Sequence, residues 1–72
     1  MKRIEVVAEV AGKVWKIEAR AGAALASEEV ILVLESMKME IPVAAPRAGQ
    51  LVELRVAEGD MVSEGTVIAI IA

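Results

Sequence analysis

The feature that most constrains this sequence is an internal repeat: the second half matches the first half, without a gap, at an offset of 37 residues. The matching positions are Gly12 and Gly49, Gly22 and Gly59, and the apolar runs 30–34 and 67–71. If the match arose by chance in a chain rich in valine and alanine, both pairs of glycines and the apolar runs would have to coincide at one offset. A solenoid needs about three units to bury its faces. We therefore predict one domain, residues 1–72, whose pseudo-two-fold-related halves span about 8–34 and 45–71.

The local pattern within each half is that of β-strands. Residues 16–20 and 53–56 alternate polar and apolar side chains, which is the period of a half-buried strand. Valine and isoleucine total eighteen against five leucines, and β-branching favours strands. Glycines separate the segments where tight turns need positive φ, at Gly12, Gly22, Gly49, Gly59 and Gly65.

The segment 21–40 carries a competing signal. Alanine, leucine and glutamate are concentrated there, and Ser27 is a residue type that caps helices. The repeat partner of this segment, 59–71, is rich in β-branched residues and has Gly65 in its middle. Because the two halves share one plan, we predict a short strand and a turn in 21–40 instead of a helix, and an all-β sandwich for the whole chain.

The length and the missing residue types exclude most catalytic chemistry. A chain of 72 residues buries about 60% of its unfolded surface and gains roughly 3–5 kcal/mol from its core, which leaves little mass for an enclosed active site. The chain contains no Cys and no His, and hence no disulfide, no zinc site of the usual ligands and no imidazole general base. We predict that it is not an independent enzyme and has no catalytic residues or metal ligands.

Charge and hydropathy limit the partners. Eight basic and eleven acidic side chains give a formal net charge of −3 and a pI of about 4.9, and Trp15 is the only aromatic residue. Nucleic acids favour basic grooves and aromatic faces, so we expect no nucleic-acid partner. Glu5 and Glu9 interrupt the stretch after the basic start, and the longest apolar run is 67–72. We therefore expect no signal peptide, no membrane partner and a cytoplasmic location.

Residues 34–41, between the two halves, are nearly palindromic about the Met37–Lys38 bond. This pattern predicts a hairpin whose end is formed by residues 35–40, with Met37 and Lys38 as a two-residue turn. The expected facing pairs are Ser36 with Met39, Glu35 with Glu40, and Leu34 with Ile41. Pro42 indicates an edge strand, because proline lacks the N–H that a central strand needs.

The hairpin end departs from local preference. Tight hairpins favour Asn, Asp or Gly in the turn, whereas this one has Met37 and Lys38. Glu35 facing Glu40 brings like charges together, and two methionines near the tip leave apolar area in water. One interpretation is that function selected these residues. The other is that Lys38 is an ordinary solvated lysine, that Met37 and Met39 fold back onto the barrel end, and that the glutamates keep an edge soluble.

The string Glu-Ser-Met-Lys-Met-Glu, residues 35–40, resembles the attachment motif of the biotinyl/lipoyl attachment domain family, and the resemblance covers essentially the whole chain. It implies a flattened β-barrel, or barrel-sandwich hybrid, of two four-stranded antiparallel sheets whose central hairpin displays Lys38 as the acceptor of a covalent cofactor. The other motif residues, to which the resemblance assigns ligase recognition, are Met37, Met39, Ser36, Glu35 and Glu40.

The residues on either side of Lys38 bear on which cofactor is attached. In the family, lipoyl acceptors usually have Asp before the lysine and Ala or a polar residue after it, so methionine on both sides of Lys38 favours biotin. The short length and Trp15-Lys16 are most similar to stand-alone biotin/lipoyl attachment proteins, some of which accept either cofactor, and to biotin carboxyl carrier domains. The first half departs from the family pattern at Glu9, Ala23, Glu28 and Ser36.

The resemblance implies a biotin carrier that biotin protein ligase modifies on Lys38 and that moves carboxyl groups between a biotin carboxylase and a carboxyltransferase. A solvated lysine amine is protonated at neutral pH, so the ligase must supply an activated acyl group and remove the proton. Two alternatives remain open: a lipoyl carrier on the same lysine, and an unmodified β-barrel that binds a partner through its hairpin.

Overall fold

A computed structural model describes residues 3–72, and all regular secondary structure in this range is β-strand. In chain order the strands are β1 Ile4–Val7, β2 Gly12–Ile17, β3 Ala24–Leu25, β4 Val30–Ser36, β5 Met39–Ala44, β6 Gly49–Leu54, β7 Met61–Val62 and β8 Val67–Ile71. The body is elongated, with extents of 36 × 18 × 17 Å.

The strands form two four-stranded antiparallel sheets, in the orders β1-β8-β6-β3 and β5-β4-β2-β7. The offset of 37 residues carries β2 onto β6, β3 onto β7, the start of β4 onto the start of β8, and β1 onto residues 41–44 of β5. Replacing each strand of one sheet by its repeat partner therefore gives the strand order of the other sheet. The predicted all-β sandwich with pseudo-two-fold symmetry is confirmed.

The core lies between the sheets and is aliphatic. Its largest fully buried side chains are Val14, Ile31, Leu32, Leu34, Leu51, Ile68 and Ile71, and no polar or charged side chain is buried within residues 3–72. Burying one such side chain contributes about 1.5–3 kcal/mol relative to leaving it exposed. The strand that leads into the central hairpin, β4, supplies three of these side chains, so one arm of the hairpin is anchored in the core up to Leu34.

Three glycines occupy the predicted tight turns. Gly22, Gly59 and Gly65 have φ of 93°, 96° and 90°, in the left-handed region that favours glycine. The segment 21–40, with its helix-like composition, contains β3, a turn and β4, which confirms the strand-and-turn prediction. No helix is present in residues 3–72, and so none there is long and apolar enough to cross a membrane.

Gly12 and Gly49 have a different role, and the prediction that they form turns with positive φ is wrong. They begin β2 and β6, and neither has a positive φ. A Cβ at Gly12 would lie 2.8 Å from the backbone oxygen of Glu35, and one at Gly49 would lie 2.7 Å from the backbone oxygen of Ala72. These glycines are required because backbone from a distant segment, in β4 for Gly12 and just after β8 for Gly49, approaches too closely for any side chain. The sequence alone does not reveal this tertiary contact.

Candidate functional site: the hairpin between β4 and β5

The hairpin has the register that its palindromic sequence predicts. Ser36 faces Met39, Glu35 faces Glu40 and Leu34 faces Ile41. Met37 and Lys38 are the two residues between the strands, and both have positive φ, at 52° and 65°. Two consecutive residues with positive φ define a type I′ turn, whose backbone twist matches that of the flanking strands.

The turn conformation is costly for its residues. A residue with a Cβ in the left-handed region is destabilised by about 1–2 kcal/mol, and this turn places two such residues, Met37 and Lys38, in sequence. The hairpin nevertheless forms, because the β4·β5 ladder continues from Ser36 and Met39 back to Val30 and Ala44. The ladder and the core contacts of β4 thus impose a turn that the local sequence does not favour.

The methionines beside Lys38 point into solvent. Met37 is 93% exposed and Met39 is 64% exposed, so the alternative in which both fold back onto the barrel end is wrong. Lys38 is also exposed, and its amine has no ion pair or hydrogen bond in the part of the chain that the structure describes. The hairpin end therefore presents a free primary amine between two exposed thioether side chains.

A row of side chains crosses the outer face of the sheet just below the turn. Glu40 faces Glu35, Glu35 faces Lys13 on β2, and Lys13 faces Met61 on β7. Directly facing residues have their side chains on the same side of a sheet. Lys13 therefore places a cation beside the predicted pair of like charges. Sequence reasoning missed this residue, because only the sheet order shows that β2 lies next to β4.

One strand of the hairpin, β4, packs closely against β2, whereas the other, β5, has no strand on its outer side. The backbone oxygen of Glu35 packs against Gly12, which holds β4 close to β2 three residues before Lys38. On the other side β5 is the edge strand of its sheet, as Pro42 predicted. Ser36 is half-buried, whereas Glu35 and Glu40 are exposed. Of the predicted motif residues, all except Ser36 are accessible from solvent without any movement of the core.

The grooves of the molecule lie away from the hairpin end. A groove of about 420 Å³ between β1 and β5 is lined by the carboxylate residues Glu5, Glu9 and Glu28 above an apolar floor. A shallower one includes Arg3 and Arg55. No residue of 36–40 lines either groove. Among residues 3–72, no group of three or more His, Cys, Asp or Glu side chains is arranged to hold a metal ion. Lys38 thus lies outside both grooves and is exposed, as a group that other proteins can reach.

Comparison with known proteins agrees with this arrangement. A family profile described as "Biotin-requiring enzyme" matches residues 4–71. The chain is 43% identical over 60 residues to the biotin/lipoyl attachment protein of Bacillus subtilis. The aligned residues make up 83% of this chain and 82% of that relative. It is 38% identical over 68 residues to the biotinylated protein TB7.3 homolog of Mycobacterium leprae, covering 94% of this chain and 96% of the relative.

Among solved structures, urea carboxylase of Kluyveromyces lactis superposes with a TM-score of 0.94 at 28% identity over the whole of this chain. The chain corresponds to only 6% of that much longer enzyme. Together, the profile match and the two similar small proteins show that the chain belongs to the biotin/lipoyl attachment domain family, whose members are non-catalytic carrier domains that hold biotin or lipoate covalently.

Proposed function

We propose that this protein is a biotin carrier, modified on Lys38 by a biotin protein ligase. The observation that carries the proposal is the type I′ turn that holds the Lys38 amine in solvent between Met37 and Met39, free of any ion pair among the described residues. A free primary amine is the group that an amide-forming ligase needs. Methionine on both sides of the lysine supports biotin, and the relative named as a biotinylated protein is similar over 94% of this chain.

The residues of the hairpin fit the attachment of such a group. Lys38 would hold the cofactor through an amide at Nζ, which removes one positive charge and takes the formal net charge from −3 to −4. The exposed thioethers of Met37 and Met39 would supply apolar contacts, first to the ligase and later to the partner enzymes. Glu35 and Glu40 would keep the approach to the amine polar, and Ser36 closes the ladder beneath the turn.

Bound biotin supplies a ureido nitrogen that accepts and releases a carboxyl group. The chain's own contribution is to position that group and limit where it travels. A stiff hairpin with a single flexible arm keeps the cofactor at an effective concentration of about millimolar at each site that the arm reaches. The partners that this role requires are a biotin carboxylase and a carboxyltransferase, and a cytoplasmic location is part of the proposal.

The test is ligation in vitro followed by intact mass measurement. The full chain is incubated with biotin, ATP and a biotin protein ligase, and we expect one biotinyl adduct per chain. Lys38→Arg should take up none, whereas Lys16→Arg, a matched change of an exposed lysine on β2, should be modified like the wild type. A wild-type chain that never acquires the adduct, or a Lys38→Arg chain that does, would contradict the proposal.

A lipoyl carrier is the second candidate, because the same amine serves both cofactors and the similar Bacillus subtilis protein is named for both. A parallel reaction with a lipoate ligase and lipoate distinguishes the two. An adduct of lipoyl mass with none of biotinyl mass would select the lipoyl carrier. No adduct in either reaction, together with full cellular function of Lys38→Arg, would select an unmodified β-barrel that acts through its hairpin surface.

A further inference from the structure

The three methionines within residues 3–72 lie outside the core. Met37, Met39 and Met61 are 93%, 64% and 74% exposed, and no methionine is among the buried side chains of residues 3–72. The core is built from Val, Leu, Ile and Ala. Methionine is usually valued as an adaptable filler of apolar interiors, and none of the three described methionines is used in that way. Chemical change at their sulfurs therefore leaves the packing of the fold intact.

Two of these three thioethers flank the proposed acceptor. Met37 shares the turn with Lys38, and Met39 begins β5 immediately after it. Met61 lies on β7, separated from β4 by β2 in the sheet order. The chain thus contains a pair of exposed methionines at the attachment site and a third one elsewhere on the same sheet, which serves as an internal reference.

We propose that Met37 and Met39 form an oxidation site for peroxides, and that their conversion to sulfoxides blocks attachment at Lys38. This inference rests on the proposed function, because it concerns the regulation of the same site. In the reaction the sulfur lone pair attacks a peroxide oxygen, the O–O bond breaks and an S–O bond forms. The sulfur loses two electrons, the peroxide is reduced, and hydrogen peroxide releases water. Methionine sulfoxide reductases reverse the step with thiol electrons.

The block follows from the change in polarity. A thioether is apolar and polarisable, whereas a sulfoxide carries a strong acceptor oxygen. A ligase that covers the tip must remove water from that oxygen, and without a matching donor this desolvation is unfavourable. One uncompensated polar group is sufficient to slow attachment about tenfold. Lys38 itself is unchanged by the oxidation, so reduction of the sulfoxides restores the acceptor.

The experiment compares attachment before and after oxidation. The full chain is treated with hydrogen peroxide, the peroxide is removed with catalase, and sulfoxides are assigned by peptide mass spectrometry. Initial rates of biotin attachment are then measured with fresh ligase. We expect the chain oxidised at Met37 and Met39 to be modified about tenfold more slowly or worse, with an unchanged circular dichroism spectrum, and reductase treatment to restore the rate.

Matched variants separate the tip from the rest of the chain. Met37→Leu/Met39→Leu keeps apolar side chains of similar size, and its rate should not change on peroxide treatment. Met61→Leu should remain as sensitive as the wild type. Equal rates for oxidised and untreated wild type, or equal losses in the double leucine variant, would overturn the inference while leaving the carrier function standing. An untreated wild type that takes up no biotin would instead overturn the proposed function and this regulation with it.

Discussion

Glu28 and Gly65 occupy equivalent positions in the two halves of the fold, and both have positive φ, at 71° and 90°. Their backbones make equivalent bonds: the Glu28 N–H donates to the Ala45 oxygen at 2.9 Å, and the Gly65 N–H donates to the Ala8 oxygen at 2.8 Å. The symmetry of the fold therefore requires the same turn twice. Glycine adopts that turn without strain, whereas glutamate adopts it at a cost of about 1–2 kcal/mol.

Glu28→Gly should stabilise the protein. Removal of the left-handed strain outweighs the extra flexibility of glycine in the unfolded chain, and we expect a net gain of about 0.5–1 kcal/mol in the free energy of unfolding. Urea denaturation followed by circular dichroism measures it. The reciprocal change, Gly65→Ala, has free space around the added Cβ and should destabilise through backbone strain alone. A loss of stability in Glu28→Gly would show that the glutamate side chain contributes more than its backbone costs.

A second asymmetry concerns the turns that begin at Arg20 and Ala57. The Ala57 N–H donates to Asp60 Oδ2 at 2.9 Å, and the equivalent of Asp60 in the first half is Ala23, which has no acceptor. Both turns have the same backbone bond of 3.1 Å, from Ala23 N to the Arg20 oxygen and from Asp60 N to the Ala57 oxygen. Ala23→Asp should therefore add about 0.5–1 kcal/mol of stability, and Asp60→Ala should remove a similar amount.

Thermal unfolding of the two variants checks this prediction. The sign should be opposite for the two changes, because one creates and the other deletes the same local hydrogen bond. If Asp60→Ala has no effect, the bond contributes nothing at this exposed position, and Ala23→Asp should then be neutral as well.

Gly12→Ala should destabilise the protein and disturb the hairpin. The added Cβ would lie 2.8 Å from the Glu35 backbone oxygen, and strand backbone does not move as freely as a flexible side chain. We expect a loss of about 1–3 kcal/mol, measured best in the Glu28→Gly background so that the variant stays folded. Amide hydrogen exchange should increase in β4 near Glu35. Ala11→Ser, a change at the exposed preceding residue, is the control and should alter neither quantity.

Met37→Asn separates the effect of residue 37 on the stability of the turn from its effect on recognition by the ligase. Asparagine tolerates the left-handed region better than methionine, so the free energy of unfolding should rise by about 0.5 kcal/mol. The same change removes an exposed thioether, so the initial rate of ligase-dependent attachment at Lys38 should fall. Met37→Leu is the matched control, since it keeps an apolar side chain and the same backbone strain. A faster rate in Met37→Asn would mean that turn rigidity, and not the apolar side chain, governs recognition.

The parts of the fold that follow from local pattern were predictable from the sequence. The repeat offset indicated the pseudo-symmetry, and the palindrome around Met37 and Lys38 fixed the hairpin register. The parts that depend on neighbouring strands were not. The close approach of Glu35 to Gly12 and the position of Lys13 beside Glu35 arise from the pairing of β2 with β4, whose residues are about twenty apart in the chain.

The geometry of the candidate site was predictable in part. Lys38 was singled out because it lies at the junction of the two halves within a motif that resembles a family attachment site, in a turn that breaks local preference; the structure confirms the unusual turn through the positive φ of Met37 and Lys38. The exposure of Met37 and Met39 was not predictable, since apolar side chains at a tip can equally fold back onto the barrel. Which interpretation holds depends on the space available around the turn, and that is set by tertiary structure.

The pseudo-two-fold symmetry also bears on how many attachment hairpins one chain can have. The operation that relates the halves takes the facing pair Leu34 and Ile41 onto Ile71 and Ile4, which likewise face each other. In the first pair a tight turn joins the strands, but β8 and β1 are not consecutive in the chain, so no such turn joins them. Duplication of the architecture therefore does not duplicate the hairpin turn, and the proposed carrier would hold one cofactor per chain.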